Sequence, residues 1–223
     1  MGWVDEAGSA DVRIGATENG ELVQEIVLAV AAPFATVVDG ISESQVLALG
    51  AGNGSVLSAL FGEAQIGVVS ETVYALLSSI AAAYAKLRIL PGARLSSEAL
   101  AGGGRLAIVP FNELQPHWKL LHVDGINLFD RNADLSRYPL IVRLRAQGDP
   151  ALIKLLPRLT NRDTSRLAIV AMTGVTALVR GTAQRMAAKG LTYPAAKIRD
   201  WLTSLEMWVM SAEVSQSRIF AAG

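Results

Sequence analysis

From Glu25 to Ala32 the chain reads EIVLAVAA. Val and Ile favour extended backbone. A run that is apolar at both alternating positions has no face to give to water, so it belongs to a buried strand. Pro33 stops it, because proline brings no N–H to continue a ladder. A chain with such a strand must build a covered sheet. Its composition allows that: 51% of the 223 residues are hydrophobic and 18% charged. Those proportions support a substantial core and exclude a chain disordered throughout.

Other segments supply the rest of an α/β pattern. Asp11–Ile14 is a short strand candidate before the polar turn Thr17-Glu18-Asn19-Gly20. Ser42-Glu43-Ser44-Gln45 has the capping-box form and predicts a short helix over Glu43–Leu49. Ser55–Phe61 is a second short apolar segment, and Ile66–Val69 a short strand. Ser70 is a good N-cap for a helix over Glu71–Lys86, where Val73, Leu76, Leu77, Ile80 and Tyr84 recur at helical spacing. Strands follow at Leu106–Val109, at the alternating Trp118–Val123 and at Leu140–Leu144. Residues 148–165, with Pro150 and Pro157, read as a linker holding a short helix. The pattern then restarts: strand Leu167–Met172, helix Thr182–Lys189, helix Ala195–Leu205, strand Met207–Val214. Short strands alternating with helices indicate α/β architecture in both parts.

Lys+Arg and Asp+Glu are 20 each, so nothing suggests an overall basic surface for nucleic acid. The absence of cysteine excludes a disulfide scaffold, a thiolate zinc site and a cysteine nucleophile. The start, Met1–Glu6, lacks the form of a signal peptide; a secreted parent would carry its signal upstream. The most apolar stretch, Leu22–Val38, is broken by Gln24, Glu25 and Pro33, so no transmembrane segment is expected.

Val46-Leu47-Ala48-Leu49-Gly50-Ala51-Gly52-Asn53-Gly54-Ser55 is similar to the first motif of S-adenosylmethionine-dependent methyltransferases, a strand, a glycine turn and a helix. Glu71 would then hold the ribose. Against this, Ala48 stands where the motif places an acid, and the capping box makes the preceding segment a helix. The other reading is a helix end followed by a glycine turn.

Two stretches carry a wider resemblance. Ala107–Leu114, Trp118–Gly125 and Tyr138-Pro139-Leu140 resemble the closing part of a type-2 periplasmic-binding-protein fold. Met172–Arg180, with Met186, Gly190, Tyr193-Pro194 and Ile198–Leu202, resembles the start of the CapA-type domain associated with poly-gamma-glutamate capsule synthesis. The resemblance implies an α/β, type-2 periplasmic-binding-protein-like unit over residues 1–150, whose first strands it leaves unaccounted for. A linker at 151–165 follows, then at 166–223 the incomplete start of a metallophosphatase-like α/β sandwich. The implied function is that of a bacterial capsule-synthesis-type protein of the cell envelope, with an extracytoplasmic location. The implied partner is an anionic polymer or a small anion. The alternatives are a solute- or oxyanion-binding protein, or the methyltransferase-like enzyme.

A two-metal phosphatase needs several convergent Asp, Asn, His or Glu ligands. Val175 follows Gly174 where the family pattern has Asp, and Ala212 stands where it has an amide; Glu213 alone is retained. His117 and His122, the two histidines, both lie in the first part and have no metal-site spacing. The expectation is therefore no catalytic residue, no metal site and no cofactor in this chain; a divalent metal belongs to a full-length, ligand-complete family member. Binding proteins of this type hold anions with helix N-termini and small hydroxyl side chains. The candidates are Thr36, Ser55, Ser70 and Thr72, each with an ordinary alternative as a cap or turn residue. Lys86, Arg88 and Arg94 read as a solvated basic face, and Glu113 and Asp124 as turn acids without a paired carboxylate. Trp118 could stack on a ligand or pack in the core.

Overall fold

The structure is a computed structural model that describes residues 10–92, 94–95, 104–168, 170–177, 180–203 and 207–213. The first residues and the closing Gln216–Gly223 stretch lie outside them. The chain divides into two units, Met1–Thr164 and Ser165–Gly223.

The first unit is built on β1 (Val12–Gly15), β2 (Glu21–Pro33), β3 (Gly40–Ile41), β4 (Ile66–Val69), β5 (Arg88–Ile89), β6 (Arg105–Pro110), β7 (Trp118–Val123), β8 (Ile141–Gly148) and β9 (Leu159–Thr160). They form one mixed sheet whose main path runs β1-β8-β2-β6-β4-β5. The apolar run that opened the sequence is its spine. Along β2, Glu21–Val27 pairs with β8, Leu28–Ala31 with β6 and Val30–Pro33 with β7, all antiparallel. Leu28, Val30, Leu106, Ile108, Leu121 and Leu140 are fully buried along this seam. The fold is thus α/β with a mixed sheet.

The capping box forms as the sequence predicts. Helix α1 (Glu43–Gly50) starts at Ser42, whose hydroxyl accepts from the Gln45 N–H while Gln45 Oε1 accepts from the Ser42 N–H at 2.8 Å. A helix therefore precedes the glycines, and the strand–turn–helix of the methyltransferase reading is corrected. The glycines have packing reasons instead. A Cβ on Gly50 would lie 2.7 Å from the Tyr84 ring, and one on Gly54 only 1.5 Å from the Gln65 carbonyl oxygen. A short helix, α2 (Ser58–Phe61), follows.

Helix α3 (Glu71–Ile80) is shorter than expected. Ala81 turns extended, at φ −158° and ψ 133°, and Tyr84 folds back into the core beside Gly50. The apolar spacing that suggested continuation to Lys86 is met here by a short 3₁₀ turn, Ala82–Tyr84.

Residues 151–165 differ from a linker. The helix Pro150–Ile153 is capped by Asp149, Ile153 packs with Val23 and Ala146, and β9 pairs with β2. Asn161 then acts as a strand residue through its side chain. It accepts from the Val27 N–H at 2.8 Å and donates to the Val27 carbonyl at 3.0 Å. Arg162, only 7% exposed, donates to the Leu128 and Asp130 carbonyls and lies over the Phe111 ring.

In the second unit β10 (Val170–Ala177) and β11 (Met207–Glu213) pair in parallel, with helices Gly181–Lys189 and Arg199–Thr203 between them in the chain. The described residues show this two-stranded sheet and no second sheet layer, so the expected metallophosphatase-like sandwich finds no support.

Candidate functional site

Strands β4, β5 and β6 run parallel, so their carboxyl ends meet at one edge of the sheet. Three chain segments leave that edge together. After β4 comes Ser70 and helix α3; after β5, Pro91 to Leu95; after β6, the turn Phe111–Glu113 leading to Trp118. Between them lies a recess of about 350 Å³, lined by Ser70, Leu95, Val109, Asn112, Glu113 and Trp118 among others. Open α/β sheets bind ligands outside the carboxyl ends of their strands, and the volume falls in the range of small-ligand sites.

The polar groups of this recess have specific states. The Ser70 hydroxyl accepts from the Val73 N–H at 3.3 Å, capping α3. A helix supplies no internal acceptor for its first amides, so those of Glu71 and Thr72 have none within α3 and lie at the positive end of its dipole, where Glu71 also carries its carboxylate. Asn112 is oriented from behind, its Oδ1 accepting from Asn161 Nδ2 at 3.1 Å. Glu113 is exposed and has no cationic partner among the described residues. Arg94, on the neighbouring turn, is exposed and already engaged in an interaction of its own. Trp118 is 8% exposed, and its indole N–H is buried without an acceptor. The His117 ring meets it edge-on, with centroids 5.8 Å apart, and His117 Nε2 is likewise buried without a partner.

The four hydroxyl candidates do not converge. Ser70 lines this recess. Thr72 sits exposed in the first turn of α3, where its amide rather than its side chain belongs to the helix end. Thr36 lines a different recess beside Pro33, Leu60 and Phe61, and its carbonyl accepts from Lys119 Nζ at 2.9 Å. Lys119 also pairs with Asp39 at 2.7 Å, and the hydrogen bond from its ammonium holds the Asp39 carboxyl below its ordinary value. Ser55 is exposed, and its hydroxyl donates to Asn53 Oδ1 at 2.7 Å. These two are loop-holding residues.

Sequence reading passed over Asn112 and gave Glu113 no role. The signal available was position alone: both follow the apolar strand Leu106–Val109 and Pro110, where the chain leaves the sheet edge. Trp118 is core, as one of its two readings held, and also lines the recess. Lys86, Arg88 and Arg94 are exposed. Glu213 closes β11 opposite Ala177. No group of three His, Asp or Glu able to hold a metal occurs among the described residues.

No family model matches the chain, and no curated protein matches it. Among solved structures it is similar to a Clostridium perfringens protein described as a phosphate ABC transporter substrate-binding protein, solved with phosphate bound. The identity is 12%, over 65% of this chain and 68% of that one, with a TM-score of 0.47. It is also similar to an ABC-type phosphate transport receptor from Vibrio cholerae, at 12% identity over 64% of each chain and a TM-score of 0.42. Both likenesses are loose. The expectation of a CapA-type capsule-synthesis function is corrected: no family model or curated protein of that kind matches, and the two structures named here are described as phosphate receptors. Among the described residues, no helix is long and apolar enough to cross a membrane.

Proposed function

We propose that the first unit is a binding module for a small solute that carries an anionic group, held in the recess at the carboxyl ends of β4, β5 and β6. One observation carries this reading. The capped N-terminus of α3 opens there beside Trp118, whose buried indole N–H has no acceptor. Helix N-termini favour anions through their amides and their dipole. A buried donor without a partner costs about 1–3 kcal/mol, a cost that a ligand acceptor removes once the indole or the rim above it shifts. An extracytoplasmic location belongs to the same proposal.

The test is calorimetric titration of the whole protein with phosphate, sulfate and small carboxylates. Saturable binding that weakens at least fivefold in Ser70→Pro or Trp118→Phe supports the reading. Ser70→Pro removes the cap hydroxyl at the helix entrance. Failure of every one of these anions, amino acids included, to bind would overturn it. Cell fractionation tests the location.

A further inference from the structure

Resting on the reading above, we propose that the ligand is a zwitterion of the α-amino-acid type, its carboxylate on the α3 amides and its ammonium group on Glu113.

The charge inventory of the recess points this way. Its anion-favouring element is the helix end, which acts with roughly half a unit charge. Among the described residues no Lys or Arg lines the recess, and Arg94 nearby has an interaction of its own. Glu113 brings a full negative charge to the same recess and has no cationic partner among the described residues. A dianion at the helix end would meet that carboxylate with no cation in the described lining beside it. A ligand with one acidic group and one protonated amine satisfies both ends at once.

Size and the remaining lining agree. The recess holds about 350 Å³, far more than a lone tetrahedral oxyanion fills. Leu95, Val109 and Leu114 give it an apolar wall for a carbon skeleton. The Asn112 side chain, its oxygen accepting from Asn161, keeps its amide nitrogen as a donor at the recess wall. The Trp118 N–H adds one more donor; because it is sealed from solvent, a ligand acceptor reaches it only with a shift of the indole or of the rim above it.

The experiment uses the whole protein with the common L-amino acids, their N-acetyl forms, phosphate and sulfate, read by thermal shift and then by calorimetry. The expected result is stabilisation by at least one free amino acid, with affinity at least fivefold lower for its N-acetyl form. Glu113→Gln should lower affinity for the free amino acid to about that of the N-acetyl form and leave the melting temperature without ligand unchanged, since Glu113 is exposed. Phosphate or sulfate binding that tightens in Glu113→Gln, with no response to amino acids, would overturn the zwitterion and leave the anion module standing. Amino-acid binding indifferent to N-acetylation and to Glu113→Gln would also overturn it. No response to any of these compounds overturns both proposals.

Discussion

Asn161 shows how much one side chain can decide. Its amide closes both hydrogen-bonding groups of Val27, a residue 2% exposed in the spine of the sheet. Asn161→Leu would leave a buried N–H and a buried carbonyl unpaired, each costing about 1–3 kcal/mol. The expected loss is about 3 kcal/mol, read by urea denaturation. It would also free the Asn112 amide to reorient, so ligand affinity should fall in whatever fraction stays folded. Tyr138 gives a pH-dependent counterpart. Its hydroxyl donates to the Leu28 carbonyl at 2.9 Å, and burial, with a smaller effect of nearby Tyr84, pushes its ionisation well above the ordinary 10.0. Burial raises Tyr84 as well. In the folded protein these phenols keep their protons at a pH where those of the unfolded chain lose them. Stability is therefore fully present below about pH 10 and falls as pH rises beyond it, by up to about 1.4 kcal/mol per pH unit for each group. Tyr138→Phe should flatten that decline when urea midpoints are compared at about pH 8 and about pH 11.

At the scale of elements, local signals were legible and distant ones were not. The capping box at Ser42 formed because its partners lie three residues apart. Strands Ile66–Val69 and Trp118–Val123 appear with the ends expected of them, since each is a compact apolar or alternating run. The end of α3 was misplaced because Tyr84 keeps helical spacing, yet its contact is with Gly50, far away in sequence. Residues 151–165 read as a linker because Pro, Arg and Asn dominate them. Their place in the sheet depends on Val27, which no local pattern could announce. The glycine turn can be tested directly. Gly54 meets the Gln65 backbone so closely that Gly54→Ala must displace it, whereas a Cβ on Gly62 meets nothing within 4 Å and faces only the strain of φ +78°. Gly62→Ala should cost about 1 kcal/mol. Gly54→Ala should cost several times more in the same thermal or urea unfolding experiment, and similar losses at the two positions would refute the packing account. The candidate site was half visible. Ser70 stood out as a cap, but only the parallel pairing of β4, β5 and β6 brings Asn112, Glu113 and Trp118 to it.

For the whole molecule, the division at Thr164 has a thermodynamic consequence. Every strand of the nine-stranded sheet lies before it, as do Asn161 and Arg162, which fasten the last segment of the unit to Val27, Leu128 and Asp130. The described residues that line the recess also belong to this unit. A chain of residues 1–164 therefore contains the described ladder partners of β2, namely β6, β7, β8 and β9. It should unfold in a single cooperative transition and keep the ligand response of the whole protein. Residues 165–223 present a different balance. Their described part offers a two-stranded parallel sheet, and a pair of strands buries too little apolar surface to hold itself together, the more so when a parallel pair has two faces to cover. Expressed separately, that segment should show no cooperative melt. Ending the chain instead at residue 150 removes β9, Asn161 and Arg162, and should abolish the transition of the first unit. Circular dichroism melts of the three chains decide the matter. If the chain ending at 150 melts like the one ending at Thr164, segment 151–164 is dispensable and its integration into the sheet is refuted.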